Sequence, residues 1–262
     1  MMIKNFRPVA AFFFLISLFS VPVSAETVKG QSGLLLPSQQ ELLKQVVGKT
    51  PRKYLGQMDL SDPGPVSVEG NFSYLEFSGD VRGRILLLSL DTGVLAYLQT
   101  KPTVKLLDLV GIAQDRHVSF SPETGLYSNG RGELLFWTSH SHHNAGESYQ
   151  IYNLLLAGAE RIELVYDGPF LYSFLLYDSD CRVAQSLAPV PEASAGAEGF
   201  PKLAMRVRQE KLCSKSGKEV RRGERRFEAA LTWDPARRQY MGGSKELFRL
   251  NHCRIEGKGK CE

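Results

Sequence analysis

Three histidines and a glutamate lie close together in one polar stretch, and side chains of these types bind transition metals. The candidate ligands are His140, His142, His143 and Glu147. In an extended strand, positions 140 and 142 share a side, and a loop can bring His143 or Glu147 to them. Three such ligands around an open position would form a catalytic zinc site. The alternative is a solvated hairpin tip rich in hydrogen-bonding groups, and the spacing leaves both interpretations open.

Other catalytic patterns are weaker. The chain has no Gly-x-Ser-x-Gly or Ser-x-x-Lys motif, and the serines near the histidines are neighbours along the chain alone. Asp178 and Asp180 would suit a paired-carboxylate mechanism, but Asp-Ser-Asp before a cysteine is more typical of a turn. We therefore predict a non-catalytic protein without a cofactor, and the alternative is a metal-dependent hydrolase that uses zinc at the histidine stretch.

Aromatic residues beside the histidines are candidates for binding. Trp137, Tyr149 and Tyr152 would hold a sugar, a peptide or a partner protein if they lined a concave sheet face. The alternative is that they belong to an ordinary aromatic β-core.

A basic segment, 202–226, holds ten basic and three acidic residues, a net charge of +7. Its candidate binding residues are Arg206, Arg208, Arg221 and Arg222. Such a segment can attract lipid head groups, lipopolysaccharide or a cell-wall polymer, with binding that weakens with salt. The alternative is a solvated edge strand whose charges discourage aggregation. Without residues 1–25 the chain carries about +2, which does not suggest a nucleic-acid binder.

The N-terminus has the pattern of a secretory signal peptide. Lys4 and Arg7 precede the apolar run 9–21, and small residues follow up to Ala25, after which we predict cleavage. The apolar run is shorter than the roughly 20 residues of a membrane-spanning helix. We expect the remaining 237 residues to form one exported domain, periplasmic or secreted, soluble and without a membrane span.

Four cysteines, Cys181, Cys213, Cys253 and Cys261, follow in the second half of the chain. Export and an even number favour two disulfides, and four cysteines allow three pairings. We favour Cys181 with Cys213, and Cys253 with Cys261 closing a small C-terminal tail. Close Cys-x-x-Cys pairs, which zinc would need, are absent.

The elements that must position these residues are mostly strands. Capping residues and apolar spacing predict one amphipathic helix over 38–47. Alternating apolar residues and turn clusters predict strands at 66–78, 81–90, 94–98, 103–112, 117–121, 133–138, 149–156, 161–166, 170–177, 202–212 and 225–232. The Pro-, Ala- and Gly-rich residues 187–200 are predicted to form a flexible surface loop.

Residues 121–166 resemble the extracellular FG-GAP or VCBS type of β-repeat. The resemblance rests on Gly130, Gly132, Glu133, Leu134, Leu135 and Phe136, and on Tyr149, Ile151 and Tyr152 in the returning strand. It implies a propeller-like architecture and an extracellular setting. Ser128, Asn129 and Arg131 stand where the family's calcium-binding turn has aspartates, so a calcium site is not carried over.

These observations predict a mainly β protein: an antiparallel meander, propeller-like or sandwich, with one short N-terminal amphipathic helix. The predicted function is an exported binding module of the cell envelope or secreted fraction. Its partner would be a protein, a glycan or an anionic polymer.

Overall fold

The computed structural model describes residues 37–55, 66, 73–79, 83–90, 93–112, 118–120, 127–129, 132–143, 147–175, 180–195 and 197–243. Over several stretches, including 140–143, 147–151, 167–175 and 185–195, it describes the backbone alone. The predicted signal peptide and the tail with Cys253 and Cys261 lie outside the described residues.

The described residues form one helix and thirteen strands, and the predicted fold class is confirmed. The elements are α1 (Pro37–Lys44), β1 (Ser73–Gly79), β2 (Gly83–Leu90), β3 (Val94–Gln99), β4 (Lys105–Gly111), β5 (Val118–Phe120), β6 (Tyr127–Ser128), β7 (Leu134–His143), β8 (Glu147–Ala157), β9 (Ile162–Leu175), β10 (Cys181–Ala195), β11 (Pro201–Lys215), β12 (Lys218–Asp234) and β13 (Gln239–Gly242). Within the described residues, neighbouring strands of the two sheets pair antiparallel.

Helix α1 is shorter than the sequence predicts. It begins at Pro37, whose fixed φ suits a first helical turn, and ends at Lys44. Leu42, Leu43 and Val46 are buried, whereas Val47, which is expected on the same face, is 55% exposed. Within the described ranges, no helix has the length and apolar character that a membrane crossing requires.

Sheet A contains strands β1 to β4 in sequential order. Leu86, Leu88 and Leu90 of β2 pack in a cluster with α1, and Ile85 and Leu87 pack in a second cluster on the opposite face. A strand that is apolar on both faces must be covered on both faces. The apolar run of β2 therefore indicates that sheet A is covered on both faces and forms a middle layer.

Sheet B has the strand order β13-β12-β11-β10-β9-β8-β7-β5, and β6 also pairs with β7. Strand β9 joins the two strands predicted at 161–166 and 170–177. The predicted turn Asp167-Gly168-Pro169 lies inside β9, where the pairing with β8 shifts register twice. Bulges of this kind absorb extra residues while the ladder continues.

Strand β10 occupies most of the region predicted to be a loop at 187–200. Its backbone pairs with β11 as far as Ala195, and a short 3-10 turn, Ala197–Gly199, follows. In the described residues β10 pairs with β9 over Arg182–Gln185, so most of β10 is paired on one side. A strand of that kind tolerates Pro189 and Pro191 because the missing N–H can face the unpaired side.

The layers stack as helix, sheet A, front half and back half, where the front half is β5 to β9 and the back half is β10 to β13. Sheet B divides in this way because, in the described residues, β9 and β10 pair with each other over Arg182–Gln185 and separate beyond that ladder. One apolar cluster joins sheet A to the front half through Leu87, Tyr97, Phe136 and Leu155. Another joins the two halves through Trp137, Leu154, Met205 and Trp233. The arrangement is a layered sandwich, one of the two predicted alternatives.

Polar contacts fix the layers to one another. The Asp108 carboxylate of β4 accepts hydrogen bonds from Arg52 Nε and Nη2 at 3.1 and 3.0 Å and from the Ile162 backbone N–H of β9 at 2.8 Å. Arg238, in the turn after β12, donates to Glu133 at 2.8 Å and to Glu163 at 3.2 Å. Asp108 thus links sheet A to the front half, and Arg238 links the front half to the back half.

Candidate functional site

The histidine stretch forms the end of the hairpin β7–β8. Strand β7 extends beyond its predicted end at residue 138 to His143, and Glu147 begins β8. The ladder pairs His140 with Ile151, His142 with Tyr149 and His143 with Ser148. The side chains of these residues lie outside the described part of the chain. Among the side chains that are described, no group of three or more His, Cys, Asp or Glu could hold a metal ion.

The aromatic candidates differ in their surroundings. Trp137 is 1% exposed in the cluster between the front and back halves, and its Nε1 has no hydrogen-bond partner among the described atoms. Tyr152 is half-buried against the same cluster. The Tyr149 side chain is outside the described residues. Trp137 and Tyr152 therefore contribute to packing, and we do not assign them to a binding surface.

The basic segment is the long hairpin β11–β12, and one end of it extends past the apolar core. Near the core, Leu203, Met205 and Val207 of β11 are buried at alternate positions. Every residue from Lys218 to Arg226 of β12 is exposed. Alternating positions of a strand point to opposite faces, so neither face of this end is covered by another described layer.

The predicted disulfide between Cys181 and Cys213 is confirmed. The two residues face each other in the β10–β11 ladder, with Cα atoms 3.9 Å apart. The bond lies within the extended end of the hairpin, where apolar packing is sparse. It holds β11 to β10 at a position that burial alone would hold weakly.

The register divides the charged residues of the hairpin between two faces. The first, which we call the paired face, carries all the acidic residues of 201–228 together with Lys202 and four arginines: Lys202, Arg206, Arg208, Glu210, Glu219, Arg221, Glu224, Arg226 and Glu228. The second, the basic face, carries Lys211, Lys215, Lys218 and Arg225. Cross-strand partners share a face, so this division follows from backbone pairing.

The paired face carries several ion pairs, most of them around Glu210 and Glu224. Arg206 Nε lies 2.7 Å from Glu228, and Arg221 Nη1 lies 2.7 Å from Glu224 and 3.1 Å from Glu210. Arg208 contacts Glu210 at 2.8 Å, and Arg226 also bonds Glu224. Glu210 and Glu224 are direct cross-strand partners, and like charges in that position repel. The surrounding guanidinium groups offset this repulsion.

Hydrogen bonds from arginine lower the pKa values of two glutamates on the paired face. Arg226, followed by the charges of Arg208 and Arg221, lowers the pKa of Glu224 below its ordinary value. Arg182 of β10 bonds Glu219 through two nitrogens at 2.7 and 3.1 Å and lowers the pKa of Glu219. Both carboxylates are therefore charged at neutral pH, and they neutralise nearby arginines.

The basic face has a different composition. Lys211, Lys215, Lys218 and Arg225 are exposed, and no acidic residue occupies a basic-face position in 181–187, 201–215 or 218–228. Val220, which is 37% exposed, and Val183 lie at positions of the same face, beside the disulfide. The face therefore combines a cluster of basic residues with the exposed apolar side chain of Val220.

The predicted arginines divide between these environments. Arg206, Arg208 and Arg221 lie on the paired face and bond carboxylates. Arg222 has no cross-strand partner in β11, because Lys211 pairs with Gly223 and the next residue, Leu212, pairs with Arg221. It is exposed, and no ion pair is found for it among the described side chains.

The residues that sequence reasoning missed are the three lysines of the basic face and Arg225. Their signal was the position of each acid along β11 and β12, since every glutamate falls on the paired face. The shift at Arg222 changes the alternation in β12. The faces therefore could not be assigned before the register was known.

Comparison with protein-family models, curated proteins and solved structures gives no match. The functional argument therefore rests on the geometry of the hairpin.

Proposed function

We propose that this protein is an exported, non-catalytic binding module of the cell envelope or secreted fraction that holds an anionic partner on the end of the hairpin β11–β12. The observation that carries the proposal is the exposure of both faces of this end together with a basic face that lacks carboxylates. Such a surface attracts anions through its summed field.

Two further features support export. The N-terminal residues have a basic start, an apolar run and a small residue at position 25, as signal peptides do. The disulfide between Cys181 and Cys213 is of a kind that persists in oxidising compartments. Pulse labelling with an antibody to the chain would test this, and we expect a shorter form that begins at residue 26. A full-length product in the cytoplasm would contradict export.

Dextran sulfate, a flexible soluble polyanion, tests the binding function. We expect the purified chain to bind it at low salt, and the affinity to fall steeply between 20 and 300 mM NaCl because counterions are released. The double variant Lys215→Gln/Lys218→Gln removes two charges from the hairpin end and is expected to weaken binding about tenfold or more.

The control variant is Lys49→Gln/Lys53→Gln, which removes the same charge from exposed residues beside α1. It is expected to bind nearly as the natural sequence does. Absence of binding at 20 mM salt, or equal losses in the two variants, would overturn the proposed function.

A further inference from the structure

The two faces of the hairpin end differ in how their positive charges are paired, which a general attraction to anions does not require. On the paired face, arginine guanidinium groups are bonded to carboxylates at 2.7 to 3.1 Å. On the basic face, three of the four cations are lysines, and for Lys211, Lys215 and Lys218 no ion pair is found among the described residues. An anion therefore meets less competition on the basic face.

Lysine suits a surface of many mobile phosphates. Its ammonium group is a compact charge on a flexible stem, whereas the arginine fork favours fixed, bidentate partners. Lys211 and Lys215 are four residues apart in β11, about 13 Å along the strand. That distance exceeds the screening length of about 8 Å at physiological salt, so the two ammonium groups repel each other little and each contributes separately to the attraction.

Apolar groups lie among these charges. Val220 pairs with Cys213 beside the disulfide, and Val183 pairs with Lys211. The exposed fraction of Val220 is 37%, so part of this apolar side chain is open to a ligand at the basic face. Contact with a soluble polyanion would not bury an exposed valine in an apolar environment. A lipid surface would, because it has apolar chains directly beneath its charged head groups.

We infer that the basic face at the end of the hairpin β11–β12 docks on the surface of an anionic phospholipid bilayer, with Lys211, Lys215, Lys218 and Arg225 over the phosphates and Val220 at the apolar boundary. This inference rests on the proposed function and names the class of its anionic partner. The Cys181–Cys213 bond holds β11 to β10 while the hairpin end meets the surface.

Vesicle binding tests the inference. The probes are vesicles of phosphatidylcholine with 30% phosphatidylglycerol and vesicles of phosphatidylcholine alone, with co-sedimentation as the measurement. We expect binding to the anionic vesicles. Since each basic residue near such a surface contributes a factor of about five, Lys211→Gln/Lys215→Gln is expected to lower the partition coefficient about 25-fold.

A matched variant separates the two faces. Arg206→Gln/Arg226→Gln removes the same charge from the same hairpin, but from the paired face. It is expected to change binding by less than about threefold, because those residues lie on the opposite face of the sheet, where salt screens them from the docked surface. Equal losses for the two double variants would overturn the assignment of the lipid surface to the basic face.

A fluorescence measurement reports contact with the apolar boundary. The tryptophan introduced by Val220→Trp is expected to shift its emission to shorter wavelength with anionic vesicles and not with dextran sulfate. Binding to dextran sulfate without binding to anionic vesicles would overturn this inference and leave the proposed function standing. Binding to neither would overturn both. Circular dichroism of each variant establishes that the fold is retained.

Discussion

Asp108 shows how one side chain can fasten two sheets together. Its carboxylate is 4% exposed, and it accepts bonds from Arg52, from the Leu109 N–H at 2.9 Å and from the Ile162 N–H. The same Arg52 also donates to the Ile162 carbonyl at 3.2 Å. Hydrogen bonding to Asp108 raises the pKa of Arg52 further, so this guanidinium stays charged in any practical condition.

Replacing Asp108→Asn should therefore be costly. An amide presents an NH2 group where the carboxylate accepts, so at least one donor loses its acceptor in a buried site. We expect the free energy of unfolding to fall by about 2 to 4 kcal/mol, measured by urea denaturation. Glu160→Gln, in an exposed pair with Lys105 at 3.9 Å, is the control, with an expected change below about 0.5 kcal/mol. Equal changes would contradict the role of Asp108 as a fastening residue.

Gly242 is a second position where one residue type is required. Its φ is +117°, and a Cβ there would meet the backbone oxygen of Ala230 in the paired strand β12. A backbone atom held in a ladder cannot move aside as a side chain can. We expect Gly242→Ala to cost about 3 kcal/mol of stability.

Gly223→Ala provides the comparison for Gly242. It lies in the same strand system, but a Cβ at position 223 meets nothing within 4 Å. We expect it to be neutral or to stabilise by up to about 1 kcal/mol, because alanine loses less entropy in a strand. A similar thermal stability for the two variants would show that the conformation at Gly242 is not restrictive.

For the strands, the spacing of apolar residues along the sequence predicted most of the elements and which of their faces are buried. Leu203, Met205 and Val207 reveal the inward face of β11, and the two-sided apolar run of β2 reveals a middle layer. Strand β10 was not predicted, because Pro189 and Pro191 disfavour a strand unless their side of it is unpaired, and the pairing was not known from the sequence. Pairing decides whether a missing N–H is tolerated, and pairing is a long-range property.

The candidate site was predictable in part, for a related reason. The basic segment is evident from composition, but its division into two faces depends on the extra residue Arg222. No local sequence pattern predicts this shift of register between β11 and β12. The convergence of His140, His142, His143 and Glu147 involves side chains outside the described residues, and the zinc site stays a prediction.

The ion pairs of the paired face predict a pH dependence. The pKa of Glu224 is lowered from 4.5, first by the hydrogen bond from Arg226. A carboxylate with a lower pKa in the folded chain adds stability above its unfolded pKa, and this contribution is lost as the pH falls through the folded pKa. We therefore expect carbon-13 NMR to give a titration midpoint for Glu224 below 4.5, and stability to decline in that acidic range.

Arg226→Gln should move this midpoint upward, towards 4.5, because it removes the largest cause of the shift. Arg222→Gln removes an equal charge from a residue that forms no ion pair with Glu224 among the described side chains, and it should leave the midpoint nearly unchanged. An unchanged midpoint in Arg226→Gln would show that this arginine does not hold Glu224 in solution.

Across the whole molecule, each layer is stabilised by the next. Sheet A contributes one face to the cluster with α1 and the other to the cluster with the front half. The front half contributes its second face to the cluster with the back half. Both tryptophans, Trp137 and Trp233, belong to this last cluster, so their fluorescence reports on layers that do not touch α1.

This arrangement predicts that damage to sheet A is felt by the distant tryptophans. Leu87 is fully buried between sheet A and the front half, and Leu87→Ala should cost about 2 to 5 kcal/mol. If the layers unfold together, the tryptophan fluorescence transition moves to lower urea with the circular dichroism transition. A fluorescence midpoint that stays in place would show that the layers unfold separately. Val47→Ala, at an exposed position, serves as the control.

The extended end of the hairpin also has a consequence for trypsin. Its arginines and lysines are abundant cleavage sites, yet their backbone is already paired with a neighbouring strand. Cleavage needs an opened chain, so the rate at which native protein is nicked there measures how often the strands part. A nick after Arg206 would leave the two fragments joined through Cys181 and Cys213 until a thiol is added.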